Sequence, residues 1–280
     1  MEDNSAYRDL FFEETDTNLE VLNEEVLRLE QNPEDREIID AIFRAAHTLK
    51  GMAATMGYNT MAANTTGSQN VAIGRNALDA NTTANNNVAV GYLALSANTT
   101  GTQNTAVGAY SMQGAMNGAL NNSAFGYNSL GDLTQGDQNT ALGTNALAQL
   151  TISAGNVAIG FDAGQATIDS NYGVYIGWGA GASGDIANDG QIAIGYKSLY
   201  ALNSGADNLA IGNQALVSLT NGARNVAIGY GAMLDTSGAG DNVGIGYQVL
   251  KDGSTSEQNV AVGNYALGAN AAAALTGNAN

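Results

Sequence analysis

"NVAIGRNALDANTTANN", residues 70–86, is one turn of a pattern that returns eleven more times before the chain ends. The glycine closing each "VAIG" unit first falls at Gly74 and last at Gly263. Nine of the eleven steps between these glycines are 17 residues long, and the other two are 18. Such regularity means one structural turn per repeat. Seventeen residues are too few for a helical pair and suit a β-solenoid coil with two short strands. The 18-residue steps are expected to place their extra residue in a turn.

The columns of the repeat support this fold. The residue before the glycine is always apolar, as at Ile73, Val90, Phe125 and Ile228. Four after it stands Leu or Met in ten of twelve turns, the exceptions being Gly164 and Gly181. Asparagine stands four before it in ten of twelve, among them Asn70, Asn104, Asn156 and Asn259. Stacked about 4.8 Å apart, such asparagines can hydrogen-bond along the axis as a ladder. The glycine itself is expected to supply a positive φ at a tight corner. In the strand "V-A-I", Val and Ile point one way and Ala the other. The expectation is that Val/Ile and the Leu of "AL" fill the coil, leaving alanine outside against neighbouring subunits.

The totals bound the rest. The chain has 280 residues with 36 glycines, one proline and no cysteine, and 12% of it is charged. The absence of cysteine excludes disulfides and thiolate metal sites. Net charge is −17; residues 1–50 hold 14 acids against five bases, and residues 51–280 hold twelve against four. Neither part is basic, so a nucleic-acid partner is not expected. No stretch reaches the ~20 apolar residues of a membrane helix, so no membrane insertion is expected. The start "MEDNSAYRDLFFEE" does not read as a secretory signal, which predicts a chain cytoplasmic as synthesised. A place on a virion or cell-surface fibre stays open if it joins a larger assembly. No cofactor or metal site is predicted.

Before the repeats, the period changes to that of helices. Phe12, Thr15, Leu19, Leu22, Val26 and Leu29 make one apolar stripe, and Ile39, Ile42, Ala46, Leu49, Ala53 and Met56 a second. Between them lies "QNPED", where Asn32 can cap and Pro33 suits a first helical position. So short a link predicts an antiparallel helical hairpin over 1–56. The division is then 1–56 hairpin, 57–270 solenoid of 12–13 repeats, and 271–280 C-terminal tail. Two helices leave apolar flanks such as Phe11, Ile38 and Phe43 in need of cover, while Arg44 and Lys50 keep His47 at least partly in solvent.

The second helix carries "FRAAHTLKGMAATMGYNTMA", Phe43–Ala62, with the one histidine of the chain. Through its H-T-L-K-G core, with "NPED" and "MGYNTMA" at matching distances, it resembles the histidine phosphotransfer (HPt) domain of CheA-type chemotaxis kinases, over about residues 5–62. The resemblance implies that His47 accepts a phosphoryl group, that Lys50 steadies its charge and that Gly51 leaves room for it. A kinase domain and a response regulator are the partners so implied. The family fold has four or more helices, whereas two are legible here, and repeats stand where the third is expected. Feeble phosphotransfer is therefore expected.

The "N-x-A-I-G-x-x-A-L" unit, over about residues 64–270, resembles the heads of YadA-type trimeric autotransporter adhesins and related tail-fibre repeats. That resemblance implies a homotrimer of parallel β-rolls with a structural and adhesive role and a surface glycan or receptor as partner. Adhesin heads have shorter turns than the seventeen found here. "MGYNTMAANTTGSQN", from Met56, satisfies both patterns at once, which gives the chain the look of a chimera. One after the glycine, aromatics recur at Tyr92, Tyr127, Phe161, Trp178, Tyr196, Tyr230 and Tyr247. They fit either a sugar-binding surface or axial stacking that steadies the turns. No Ser/His/Asp set is possible with one histidine, and "GIGYQVLKDG" lacks the G-K-[ST] of a phosphate loop. A non-enzymatic protein is expected.

Overall fold

The computed structural model describes residues 5–55, 60–183, 189–251 and 257–268. Two helices, α1 (Ser5–Gln31) and α2 (Arg36–Thr55), precede twelve three-residue strands. Side chains of the helices are described from Phe12 to Leu49, so the expected places of Phe11, Ala53 and Met56 lie outside them. The join at 56–59 also lies outside the described residues.

The two helices pack against each other across the link 32–35. The cap of α2 is Asp35, not Asn32. Its carboxylate Oδ1 accepts from the backbone N–H of Glu37 at 2.9 Å and of Ile38 at 3.4 Å, the usual N-cap arrangement. Pro33 therefore lies in the turn rather than in the first helical position. The α1 stripe splits in two. Thr15, Leu22 and Leu29, seven apart, are half-buried, whereas Phe12, Leu19 and Val26, also seven apart, stay exposed. On α2 the buried line is Ile38 and Ala45, flanked by the half-buried Ile42 and Leu49. Ile38, expected as an uncovered flank, is thus in the contact, and Ala46, expected in the stripe, is exposed. A single partner helix covers only part of a wide apolar face.

From Thr60, which bridges to Ala77 in parallel, the chain is solenoid. Strands β1 (Val71–Ile73), β2 (Val88–Val90), β3 (Thr105–Val107), β4 (Ser123–Phe125), β5 (Thr140–Leu142) and β6 (Val157–Ile159) lie in sequence order in one parallel sheet. It continues through β7 (Val174–Ile176), β8 (Ile192–Ile194), β9 (Leu209–Ile211), β10 (Val226–Ile228), β11 (Val243–Ile245) and β12 (Val260–Val262). Each coil holds one strand rather than the expected two; the rest of the coil is stacked turns. The register is 17 residues except at β3–β4 and β7–β8, where it is 18, so both extra residues sit in turns as expected.

The faces of the strands are opposite to the expectation. From β2 to β12 the middle residue, nearly always alanine, is buried, and the flanking Val and Ile point outward, half-buried or exposed. The cause is the Leu/Met column. Its ten members, Leu78 to Leu267, hold φ between 47° and 54°, and from Leu78 to Leu250 they are buried in the coil. A left-handed conformation costs about 1–2 kcal/mol for such a residue. Burying a large aliphatic chain returns roughly 1.5–3 kcal/mol. Once leucine fills the coil from the turn side, only alanine fits opposite, and Val/Ile must face out.

The corner glycines hold φ between 126° and 143°. A Cβ on Gly195 would come within 2.5 Å of the Gly212 carbonyl oxygen in the next turn, so the corner needs glycine for space as well as for φ. The asparagine ladder forms as expected. The N–H of Asn104 donates to Asn87 Oδ1 at 3.0 Å, that of Asn139 to Asn122 Oδ1 at 2.9 Å and that of Asn259 to Asn242 Oδ1 at 3.0 Å. Each bond satisfies a buried polar group that would otherwise oppose burial.

Two exceptions in the columns compensate each other. Tyr175 occupies an alanine position, fully buried between Ala158 and Ala193. Gly164 and Gly181, the two gaps in the Leu/Met column, lie in the turns after β6 and β7. A Cβ on Gly164 would lie 2.9 Å from the Tyr175 ring, and one on Gly173, where the ladder lacks its asparagine, 2.5 Å from it. The ring fills space that leucine and asparagine fill elsewhere. Across the gap, Gly173 N–H still donates to Asn156 Oδ1 at 2.7 Å, and the ladder resumes when Asn208 N–H donates to Gln191 Oε1 at 3.3 Å.

Candidate functional site

The hairpin and the outer edge of the solenoid hold the candidate residues. His47 lies on α2 and its side chain is exposed, as expected. It borders an open groove lined by Asp40, Phe43, Arg44, Ala46 and Thr48. These side chains recur three and four residues apart, which sets Phe43, Arg44 and His47 on adjoining parts of one helical surface. Phe43 is 68% exposed. Thr48 turns its hydroxyl away from chemistry by donating to the Arg44 carbonyl at 3.0 Å. Lys50 and Gly51 follow on the same helix, but their side chains lie outside those described. Among the described residues no helix follows α2, so no third helix stands beside the imidazole.

The aromatic column divides into three runs. Phe161, Trp178 and Tyr196 stack with centroids 5.7 and 5.2 Å apart and interplanar angles of 11° and 21°. Tyr230 and Tyr247 stack at 5.3 Å and 11°. The other contacts are edge-to-face and involve two rings outside the sequence pattern. Tyr110 sits between Tyr92 and Tyr127 at 5.3 and 5.4 Å, and Tyr265 lies 5.2 Å from Tyr247. Both stand two after the glycine instead of one, a shift that the column count passed over. Lys197 Nζ lies 4.9 Å from the Tyr200 centroid, 5.3 Å from that of Trp178 and 5.7 Å from that of Tyr196, clamping two successive turns by cation–π attraction. In the stacked runs each inner ring spends its faces on its neighbours and presents an edge to water. That geometry favours axial stacking over a platform for sugar rings.

Among the described residues no group of three or more His, Asp and Glu side chains could hold a metal ion. Among them, too, no helix is long and apolar enough to cross a membrane.

Comparison with known proteins finds a family match that covers the hairpin and runs on through the first strand of the solenoid into the second. The Hpt domain matches residues 6–89. The chain is 50% identical over 60 residues to the chemotaxis protein CheA of Bacillus subtilis, covering 21% of this chain and 9% of that protein. It is 45% identical over 62 residues to CheA of Listeria monocytogenes, covering 22% of this chain and 10% of the relative. CheA of Treponema pallidum is 46% identical over 55 residues, 20% of this chain and 7% of its own length. The chain thus spans a tenth or less of these relatives. No solved structure matches it. Its N-terminal fifth is similar to the Hpt segment of CheA, and from Thr60 it is a β-solenoid.

Proposed function

We propose that this chain is a structural shaft that assembles with copies of itself through the outer face of its sheet, bearing a truncated phosphotransfer hairpin at its start. The observation that carries this is the composition of that face. The two outward columns, from Val71 and Ile73 to Val260 and Val262, hold 24 residues and no charge, in a chain of net charge −17. Twelve strands about 4.8 Å apart make the face ~53 Å long. With a width of ~10–12 Å, three residues at about 3.3 Å each, it presents roughly 530–640 Å², at or above the upper end of what monomers leave to water. A homotrimer, as adhesin-type heads form, covers it on every copy and brings three hairpins together as a six-helix cap. The adhesive role, toward a surface glycan or receptor, draws its support from that resemblance. The test is sedimentation of the wild type and of Ile194→Asp/Ile228→Asp. Oligomeric wild type and a monomeric variant with unchanged circular dichroism are expected. A wild type already monomeric at micromolar concentration would overturn the proposal.

A second reading is favoured by the exposed His47 and the Hpt match: a phosphorelay module. A kinase domain presents ATP, an imidazole nitrogen of His47 forms a bond to the γ-phosphorus, and the bond to the ADP oxygen breaks. The phosphoryl group then passes to a carboxylate of a response regulator. Labelled ATP with a CheA-type kinase domain should give slow, acid-labile labelling that His47→Gln abolishes. Labelling as fast as in an intact phosphotransfer domain would make this the first reading.

A further inference from the structure

We infer that Arg44 is a positioning residue for phosphoryl transfer at His47, an inference that rests on the phosphotransfer reading. Arg44 precedes His47 by three residues and lines the same open groove, and both side chains are exposed. Helical side chains lean over the turn before their own Cα. The imidazole of His47 therefore lies toward Phe43 and Arg44.

The electrostatics make that neighbour matter. Residues 1–50 carry 14 acids against five bases, a field that opposes bringing a phosphoryl dianion to the helix. Asp40, one turn before Arg44, borders the same groove and adds to that opposition. The guanidinium is the described cation of the groove. It forms no ion pair within 4.0 Å among the described residues, whereas Arg28 on α1 is engaged with Glu25 at 2.7 Å. Its N–H groups can donate charge-assisted hydrogen bonds to a phosphoryl oxygen. Phe43, four residues before His47, offers no donor, so the polar reach toward a phosphoryl group on this side of the ring is Arg44's. Arg44 holds the incoming group over the imidazole and offsets its charge; it does not itself bond to phosphorus.

Phosphoramidate tests this on the full chain without a kinase. The lone pair of the imidazole nitrogen forms the N–P bond as the donor's own P–N bond breaks. Ammonia leaves and takes up the proton that the ring releases. Labelling of His47 is followed by phosphorus NMR in wild type, Arg44→Ala, Arg44→Lys and Arg28→Ala. Arg44→Ala should slow labelling roughly five- to tenfold, as expected for losing one charge-assisted contact at an exposed site. Arg44→Lys should recover most of the rate, Arg28→Ala should match wild type, and helicity should be equal in all four. The Arg44 effect should shrink at 1 M salt, where screening acts within about 3 Å. Labelled wild type with Arg44→Ala equally fast, or with Arg44→Lys as slow as Arg44→Ala, overturns the role of Arg44 and leaves the phosphotransfer reading standing. Wild type that takes no label from either phosphoramidate or a kinase domain overturns both.

Discussion

Replacing Tyr175 with alanine restores the strand consensus, yet it should destabilise the solenoid. The ring is fully buried, and truncating a buried aromatic to alanine costs about 3–5 kcal/mol, transfer and cavity together. Alone, Gly164→Leu should also be unfavourable, because its Cβ would stand 2.9 Å from the Tyr175 ring and equally close to the Leu147 side-chain end, which can turn aside more readily than the ring, an overpacking worth about 1–3 kcal/mol. Together they should compensate. Gly164 already holds φ 59°, close to the 47–54° of the Leu/Met column, so leucine can enter the vacated space on a backbone already shaped for it. Adding Gly173→Asn should reconnect the ladder between Asn156 and Gln191, worth about 1 kcal/mol for a net hydrogen bond.

Thermal melts read by circular dichroism should show Tyr175→Ala lower by roughly 6–20 °C, taking about 2–4 °C per kcal/mol for a domain of this size. The triple variant should return most of that loss. Arrays of repeats can unfold piecewise, so hydrogen exchange over residues 156–181 provides the local measure. A coupling energy of at least ~2 kcal/mol is expected from the double-mutant cycle of Tyr175→Ala and Gly164→Leu. Penalties that simply add would refute the idea that Tyr175 and the column gap at Gly164 form one packing exchange.

Glycine should matter by place rather than by count: Gly195→Ala, at φ 130° with its Cβ against the Gly212 carbonyl, should destabilise by more than ~1 kcal/mol, while Gly238→Ala, with open space around it, should be near neutral in urea unfolding. Burial, opposed in part by the Ser170 hydroxyl, raises the Tyr175 phenol above its ordinary value of 10.0. Its contribution to stability is therefore complete below pH 10 and is lost as pH rises through the raised value. Absorbance titration should show one phenol, absent in Tyr175→Phe, that ionises only with unfolding. The exposed Arg224–Asp241 pair, at 2.6 Å, holds the Asp241 carboxyl below its usual range through the Arg224 hydrogen bonds. Its contribution is therefore complete above the ordinary carboxyl value of 3.8 and is lost as pH falls from there through the depressed value. Arg224→Gln should remove that contribution at neutral pH, read as a smaller difference between neutral and acid melting temperatures.

The spacing of the glycines was enough to reach a parallel solenoid, because a repeat this strict leaves few alternatives to stacking one turn on the next. The asparagine column was legible for the same reason: an in-line amide every 17 residues has an axial partner whatever the coil's cross-section. The direction of the strand side chains was not legible from alternation, since V-A-I reads equally well either way round. A signal did exist. Thr105, Ser123 and Thr140 occupy the outer column beside valines, and a dry coil interior would not accept three such hydroxyls in succession. The single strand per coil escaped for another reason. Ten leucines and methionines in the left-handed region turn the "AL" segment into a corner, a conformation that propensity assigns to glycine or asparagine. Tyr175 was visible as a misfit in the alanine column, but its link to Gly164 and Gly173 is a matter of volume and needed coordinates.

The hairpin shows the limit of stripe counting more sharply. Six apolar positions on α1 specified a face, not the number of helices that cover it, and with only α2 present the face divides at every seventh residue. Phe12, Leu19 and Val26 remain at 45–54% exposure. Each would gain roughly 1–1.5 kcal/mol from full burial, about half of what a fully exposed side chain returns, so the hairpin stands to gain from company. The same incompleteness bears on His47. Its groove is open, which favours access by a phosphoryl donor, and among the described residues the carboxylate that lines it is Asp40, on α2 itself. On the phosphotransfer reading the described cation beside the ring is Arg44, also on α2. If assembly through the sheet gathers hairpins from several copies, the two features compete. Packing that covers Phe43, four residues from His47, would narrow the groove, so labelling of His47 should be slower in the oligomer than in the monomeric Ile194→Asp/Ile228→Asp variant. Equal rates in the two would mean that the hairpins do not meet through this face.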